Sequence, residues 1–198
     1  MIGIVFYLSR RDGVAVTRFF YPAPAKRNLS HRPLDGTKPM LLTHRPVSAE
    51  DVLTICDFPQ TPQELFFMFP KAQYPLTEAQ LLASIAQRSD STVVEGDNAV
   101  VGFANFYAFE RDGVCAIGNV IVSPKARGKG VARFLVETMV GLAFERHRAS
   151  EVQLSCFNEN TAGLLLYPQL GFVPFGVEER VSQDGRRVAL IQMRKMRG

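Results

Sequence analysis

The stretch "SPKARGKGVARFL" (Ser123–Leu135) decides how this chain folds. It is a basic turn punctuated by Gly128 and Gly130, preceded by the run "NVIV" (Asn119–Val122). After it, Val131, Phe134, Leu135, Thr138, Met139 and Leu142 recur at helical spacing, the apolar face of a helix running to about Arg148. A further strand, "EVQLSCF", comes next. Strand, turn, helix and strand in that order predict a right-handed parallel crossover. The two glycines can take positive φ and leave their backbone bare. A helix start adds free amides and partial positive charge, so a pyrophosphate-like anion suits the turn. Arg127, Lys129 and Arg133 add charge at its rim. A nucleoside triphosphatase loop would need Ser or Thr after Lys129, where Gly130 stands; a dinucleotide fingerprint would need glycine at 133, where Arg stands. On these residues alone, a tight turn with a solvated basic rim is the alternative.

Outward from the turn the pattern is mixed. Upstream, "STVVEGDNAVVGFANFYAFERDGVCAIGNVIV" reads as three strands joined at "GDN" and "RDG", turn chemistry that favours antiparallel pairing. Before it lie two helices: one in "SAEDVLTICDF", with Ser48 as N-cap and Asp51 at capping-box spacing, and one in "LTEAQLLASIAQR", with Thr77 as N-cap. Between them, "FPQTPQELFFMFPKAQYPLT" carries four prolines and five aromatics. "LLTHRPV" is strand-like. Downstream, "NTAGLLLYPQLGF" is a short helix ended by Gly171, and "VEERVSQDGRRVALIQMRK" a hairpin turning at Asp184-Gly185. The order β-α-α-β-β-β-α-β-α-β-β describes a mixed α/β sheet without internal repeats.

The chain has 198 residues, 46% of them apolar, enough for one domain with a sizeable core. No apolar run approaches the roughly 20 residues of a bilayer span. The apolar start "MIGIVFYL" precedes its positive charges, the reverse of a secretory signal. Cys56, Cys115 and Cys156 are widely spaced, without metal-ligand spacing, and read as reduced thiols of a cytoplasmic protein. The formal charge of +4 is uneven: residues 1–39 hold seven Lys/Arg against Asp12 and Asp35, while the rest holds 16 basic and 17 acidic residues. A nearly neutral main body argues against nucleic acid as a partner. Residues 1–39 combine a hairpin pattern ("IGIVFYL", "VAVTRFFY") with a proline-rich stretch. They are read as a basic extension or linker, or as residues upstream of the true start, since Met40 opens the regular pattern; residues 40–198 form the main domain.

Taken together, two segments resemble the GNAT (Gcn5-related) N-acetyltransferase superfamily. Its pyrophosphate motif, Q/R-x-x-G-x-G/A, is matched by Arg127, Gly130 and Ala132, with Gly128 in the common "RGKG" form. About 30 residues on, Asn160, Tyr167, Gly171 and Phe172 match a second family motif at family spacing. The resemblance covers about residues 40–196. It implies a mixed sheet of six to seven strands with flanking helices, its central strands splayed into an acetyl-CoA cleft. It further implies acetyl-CoA as co-substrate, no metal, and transfer of acetyl to a primary amine of a small molecule or peptide. A homodimer is left open; no nucleic acid or membrane is expected.

Residue by residue, the resemblance puts the pyrophosphate on the amides of Arg127, Gly128, Lys129, Gly130, Val131 and Ala132, with Arg133 beside them. Val120, Ile121 and Val122 would pair with the pantetheine arm as an added strand, one amide also polarising the thioester carbonyl. Asn160 would bond the cofactor, a role compatible with capping the helix after it. Tyr167 would be the general acid, a phenol being protonated at neutral pH; the alternative is a packed aromatic at a helix end. Pro168 departs from the pattern and is expected to disturb the helix there. No general base is readable: the strand that carries a carboxylate in many members has Asn119 instead, and Glu110 and Asp112 read as solvated turn charges. Cys115 and Cys156 read as core residues. Among Phe58, Phe66, Phe67, Phe69 and Tyr74, some pack the core and some are expected to line an acceptor groove, with Glu64 attracting the amine. A non-catalytic acyl-CoA-binding module of the same fold is the alternative to an enzyme.

Overall fold

In the computed structural model, the described residues are 10–11, 14–15 and 40–198. The chain divides into two units, Met1–Lys38 and Pro39–Gly198. In the first, β1 (Arg10–Arg11) pairs antiparallel with β2 (Val14–Ala15). The wider hairpin and the proline-rich stretch expected there lie outside the described residues.

The second unit runs β3 (Leu42–Pro46), α1 (Asp51–Cys56), α2 (Pro62–Met68), α3 (Glu78–Ala86), β4 (Ser89–Gly96), β5 (Ala99–Phe109), β6 (Val114–Val122), α4 (Val131–Gly141), β7 (Glu151–Phe157), α5 (Thr161–Gln169), β8 (Val173–Val181) and β9 (Arg187–Met196). Seven strands form one sheet in the order β3-β4-β5-β6-β7-β9-β8. β6 and β7 are parallel and the other pairs antiparallel. The tight turns fall where the sequence places them: Asp97, Asn98 and Asp112 take positive φ, as does Gly185.

Period-two alternation distributes the core over both faces. Val94, Ala104 and Phe106 pack with Leu135, Met139 and Phe172 beneath α4 and α5. Val93, Phe103 and Ile121 pack with Val52, Ile55, Leu65 and Leu81 beneath α1–α3.

Three local expectations are amended. The proline-rich segment between the two expected helices holds a third, α2. Pro62 sits in its first turn, where no amide is needed, and the Thr61 hydroxyl caps it by accepting from the Glu64 amide at 3.1 Å. Ser48 is not the N-cap of α1. Asp51 instead accepts from the Ser48 amide and hydroxyl at 2.7 and 2.9 Å and takes both Nη atoms of Arg45 at 2.6 and 2.9 Å. The helix after the glycine turn passes into a π-helical turn, Leu142–Arg146, ending by His147.

Candidate functional site

The site is built where the sheet comes apart. β6 and β7 pair only from Val114↔Glu151 to Ile117↔Leu154. Beyond that point β6 keeps β5 on one side, through Phe103↔Ile121 and Gly102↔Val122, and leaves its other edge open. A bulge sets the divergence: two residues of β6, Asn119 and Val120, lie opposite one of β5, and Asn119 takes φ +53°. The Asn119 side chain is buried and satisfied, its Nδ2 donating to the Met68 carbonyl and its Oδ1 accepting from Ser84 Oγ, both at 3.3 Å. It pins α2 and α3 to the bulge, and so is occupied in holding structure.

A cavity of about 580 Å³ opens in the gap. Every cofactor and catalytic residue assigned from the sequence lines it except Lys129. Gly128 and Gly130 have φ +76° and +82°, and a Cβ on either would meet nothing within 4 Å. Gly130 is the N-cap of α4 and offers no side-chain bond, so the first amides of an 11-residue helix face the cavity bare. A positive-φ glycine turn opening onto a helix start with free amides is a setting that favours an anion.

The opposite wall is the start of α5. Asn160 Oδ1 accepts from the Gly163 amide at 3.0 Å, which is the capping role. Tyr167, 6% exposed, lines the same cavity. Burial first, and then Cys156, raise its phenol above the ordinary value, so it keeps its proton at neutral pH. With Pro168 inside α5, Tyr167 still lines the cavity. The proline lies in the last turn of α5, which ends as the amides of Leu170 and Phe172 bond back to the Tyr167 carbonyl at 3.0 and 3.1 Å. Gly163 explains the ring's seat: a Cβ there would lie 2.8 Å from Cys156 Sγ and 3.0 Å from Tyr167 Cε2.

Two charged side chains do something other than expected. Glu64 is not free for an amine, because Arg127 Nη1 and Nη2 hold its two oxygens at 2.7 and 2.9 Å. That contact keeps the Glu64 carboxyl below its ordinary range. Arg133 is turned to Gln169, at 2.7 Å. Glu159, which the sequence reading missed, also lines the cavity and is held by Arg186 at 2.7 Å; it directly precedes the motif Asn160, its one legible signal. The aromatics expected to divide between core and groove do separate: Phe58 is buried in the core and Tyr74 is exposed. Phe66 packs on Phe157 with ring centres 4.4 Å apart, Phe67 lines the cavity, and Phe69 lies under Arg88. Cys115 and Cys156 are buried and free, and Glu110 and Asp112 are exposed, as expected.

A seven-stranded mixed sheet split between two parallel strands, with a glycine turn on one lip, is the GNAT fold, and solved structures share it. A ribosomal-protein-alanine N-acetyltransferase from Brucella melitensis is 21% identical at a TM-score of 0.64, the match covering 78% of this chain and 99% of that one. The spermidine N-acetyltransferase of Vibrio cholerae, solved with CoA and spermine, is 22% identical at 0.67, covering 78% and 95%. yncA of Salmonella typhimurium, with its cofactor acetyl-CoA, is 21% identical at 0.62, covering 78% and 93%. The family model described as "Acetyltransferase (GNAT) family" matches residues 54–172. That is more than half of the chain, and the chain belongs to this family.

Proposed function

We propose that the protein is an acetyl-CoA-dependent N-acetyltransferase that acts by direct attack of a primary amine. One observation carries the reading: the bare glycine turn, the open edge of β6 and the Tyr167 phenol share a single cavity. Bound acetyl-CoA would supply the acetyl group as a thioester. The amides of residues 127–132 hold the pyrophosphate, and the free edge at Val120–Val122 pairs with the pantetheine and polarises the carbonyl. As the amine nitrogen bonds to the carbonyl carbon and the carbon–sulfur bond breaks, Tyr167 would give its proton to the departing sulfur, and the proton shed by the amine would pass to water, from which the phenolate is reprotonated. Asn160 holds the wall opposite by capping α5. The three free cysteines support a reducing, cytoplasmic setting.

A non-catalytic acyl-CoA-binding module has one observation in its favour: both carboxylates lining the cavity, Glu64 and Glu159, are engaged by arginines. One experiment separates the readings. Thermal stabilisation by acetyl-CoA is measured first, then thiol release across a panel of amines and peptides. Stabilisation with release is expected. Stabilisation without release on any acceptor leaves the binding module, and no stabilisation at millimolar acetyl-CoA removes both.

A further inference from the structure

Across the Asn119 bulge from the cofactor cavity lies a second one of about 290 Å³. Phe69, Lys71, Gln80, Ser84, Gln87 and Arg88 line it, and no carboxylate does. Arg88 is half-buried, and among the described residues it has no acidic partner. The other half-buried arginines of the main unit, Arg45 and Arg133, each have one. A partly desolvated charge without a counter-charge is costly. Burial accordingly pulls the Arg88 guanidinium below its ordinary proton affinity.

The guanidinium is nevertheless held in place. Asn105, fully buried, accepts from Arg88 Nη1 at 3.0 Å, and its own Nδ2 has no partner among the described residues. The Phe69 and Tyr107 rings lie 5.5 and 5.9 Å from Arg88 Cζ. A Cβ at residue 118 would lie 2.7 Å from Nη1, so Gly118 leaves the room the group occupies. Aromatic rings flank the plane and one nitrogen is consumed, leaving Nε and Nη2 for a planar, two-pronged acceptor. The wall between the two cavities is thin. Ser84, which lines the second, donates to Asn119 Oδ1, and Asn119 Nδ2 donates to the carbonyl of Met68, which lines the first. Asn119 directly precedes Val120–Val122, one of whose amides is expected to polarise the thioester carbonyl.

We propose that Arg88, assisted by Lys71, binds a carboxylate on the acceptor itself, so that the acceptor is an amine carrying its own acid group, of the amino-acid class. The proposal rests on the transferase reading above. It is tested with matched pairs of acceptors, each an amino acid beside the amine that lacks its carboxylate, assayed by thiol release on the full chain. Wild type is expected to favour the acid-bearing member of at least one pair by tenfold or more in kcat/KM. Arg88→Gln should erase that preference while leaving stabilisation by acetyl-CoA and the rate on the plain amine unchanged; Arg88→Lys should keep part of it. Lys71→Gln, at an exposed position, should reduce the preference about threefold and covers the case in which Arg88→Gln fails to fold. No preference in wild type, or a preference untouched by both glutamine variants, overturns the proposal. So does acetate raising the rate on plain amines without a preference within pairs, because a separate anion then fills the site. If no amine is acetylated, the transferase reading fails on its own, and calorimetry of the amino acids on wild type and Lys71→Gln decides the site. Binding weakened by the substitution supports it, and no binding overturns it.

Discussion

At Gly130 the backbone stands at φ +82° and the space over it is empty. Any β-branched residue there is strained by roughly 1–2 kcal/mol, and its side chain would enter the space a pyrophosphate needs. Gly130→Val is therefore expected to abolish most of the thermal stabilisation given by acetyl-CoA, read by thermal melts with and without the ligand. Tyr167→Phe should do the reverse. It keeps the buried ring and leaves acetyl-CoA stabilisation unchanged, while kcat for thiol release falls by about 10²-fold, the usual worth of a positioned acid. Unchanged kcat would remove Tyr167 from the acid's role. Both residues were legible in the sequence because their spacing is tied to short local structure, a turn and a helix. Glu64 was legible as a charge but not in its employment. Arg127 is 63 positions away, and no local pattern records such a pairing.

Among the elements, α5 carries the most consequence. Its Gly163 faces Cys156 of β7 and the Tyr167 ring at distances that leave no room for a methyl group. Gly163→Ala should lower kcat and destabilise the fold by about 1–3 kcal/mol, as overpacking does. Adding Cys156→Ala removes the nearest atom and should recover part of both losses. A double-mutant cycle of kcat and melting temperature measures that coupling. Helix α2 was hidden by its composition. Four prolines in 20 residues suggest a loop, yet Pro62 in the first turn and the Thr61 cap make a short helix permissible. Its existence depends on burial of Leu65, Phe66 and Met68 against the sheet and its neighbours, a tertiary outcome.

For the whole molecule, stability at low pH turns on carboxylates that are held ionised. Asp51 is lowered to about 2, chiefly by its hydrogen bonds to Arg45, and against burial, which would raise it. Its folded value lies below its unfolded one, so its contribution is present above about pH 4 and lost as pH falls toward 2. With Arg45 partly solvated, the loss is about 1–2 kcal/mol. Glu64 acts in the same direction. Melting temperatures from pH 7 to pH 2 should fall in that window, less steeply in Asp51→Asn, which starts lower. The same pair shows where the sequence stops. Strand alternation, helical periodicity, turn residues and the spacing of the two motifs are properties of neighbouring residues, and they determined the order of elements apart from α2, the mixed sheet, and the glycine turn and helix start that line the cavity. The departure of β6 from β7, the bulge at Asn119, the seating of Tyr167 on Gly163 and the unpaired Arg88 were decided only by the tertiary structure. Each depends on atoms brought together across long stretches of chain, where packing and desolvation settle which polar group finds a partner and which does not.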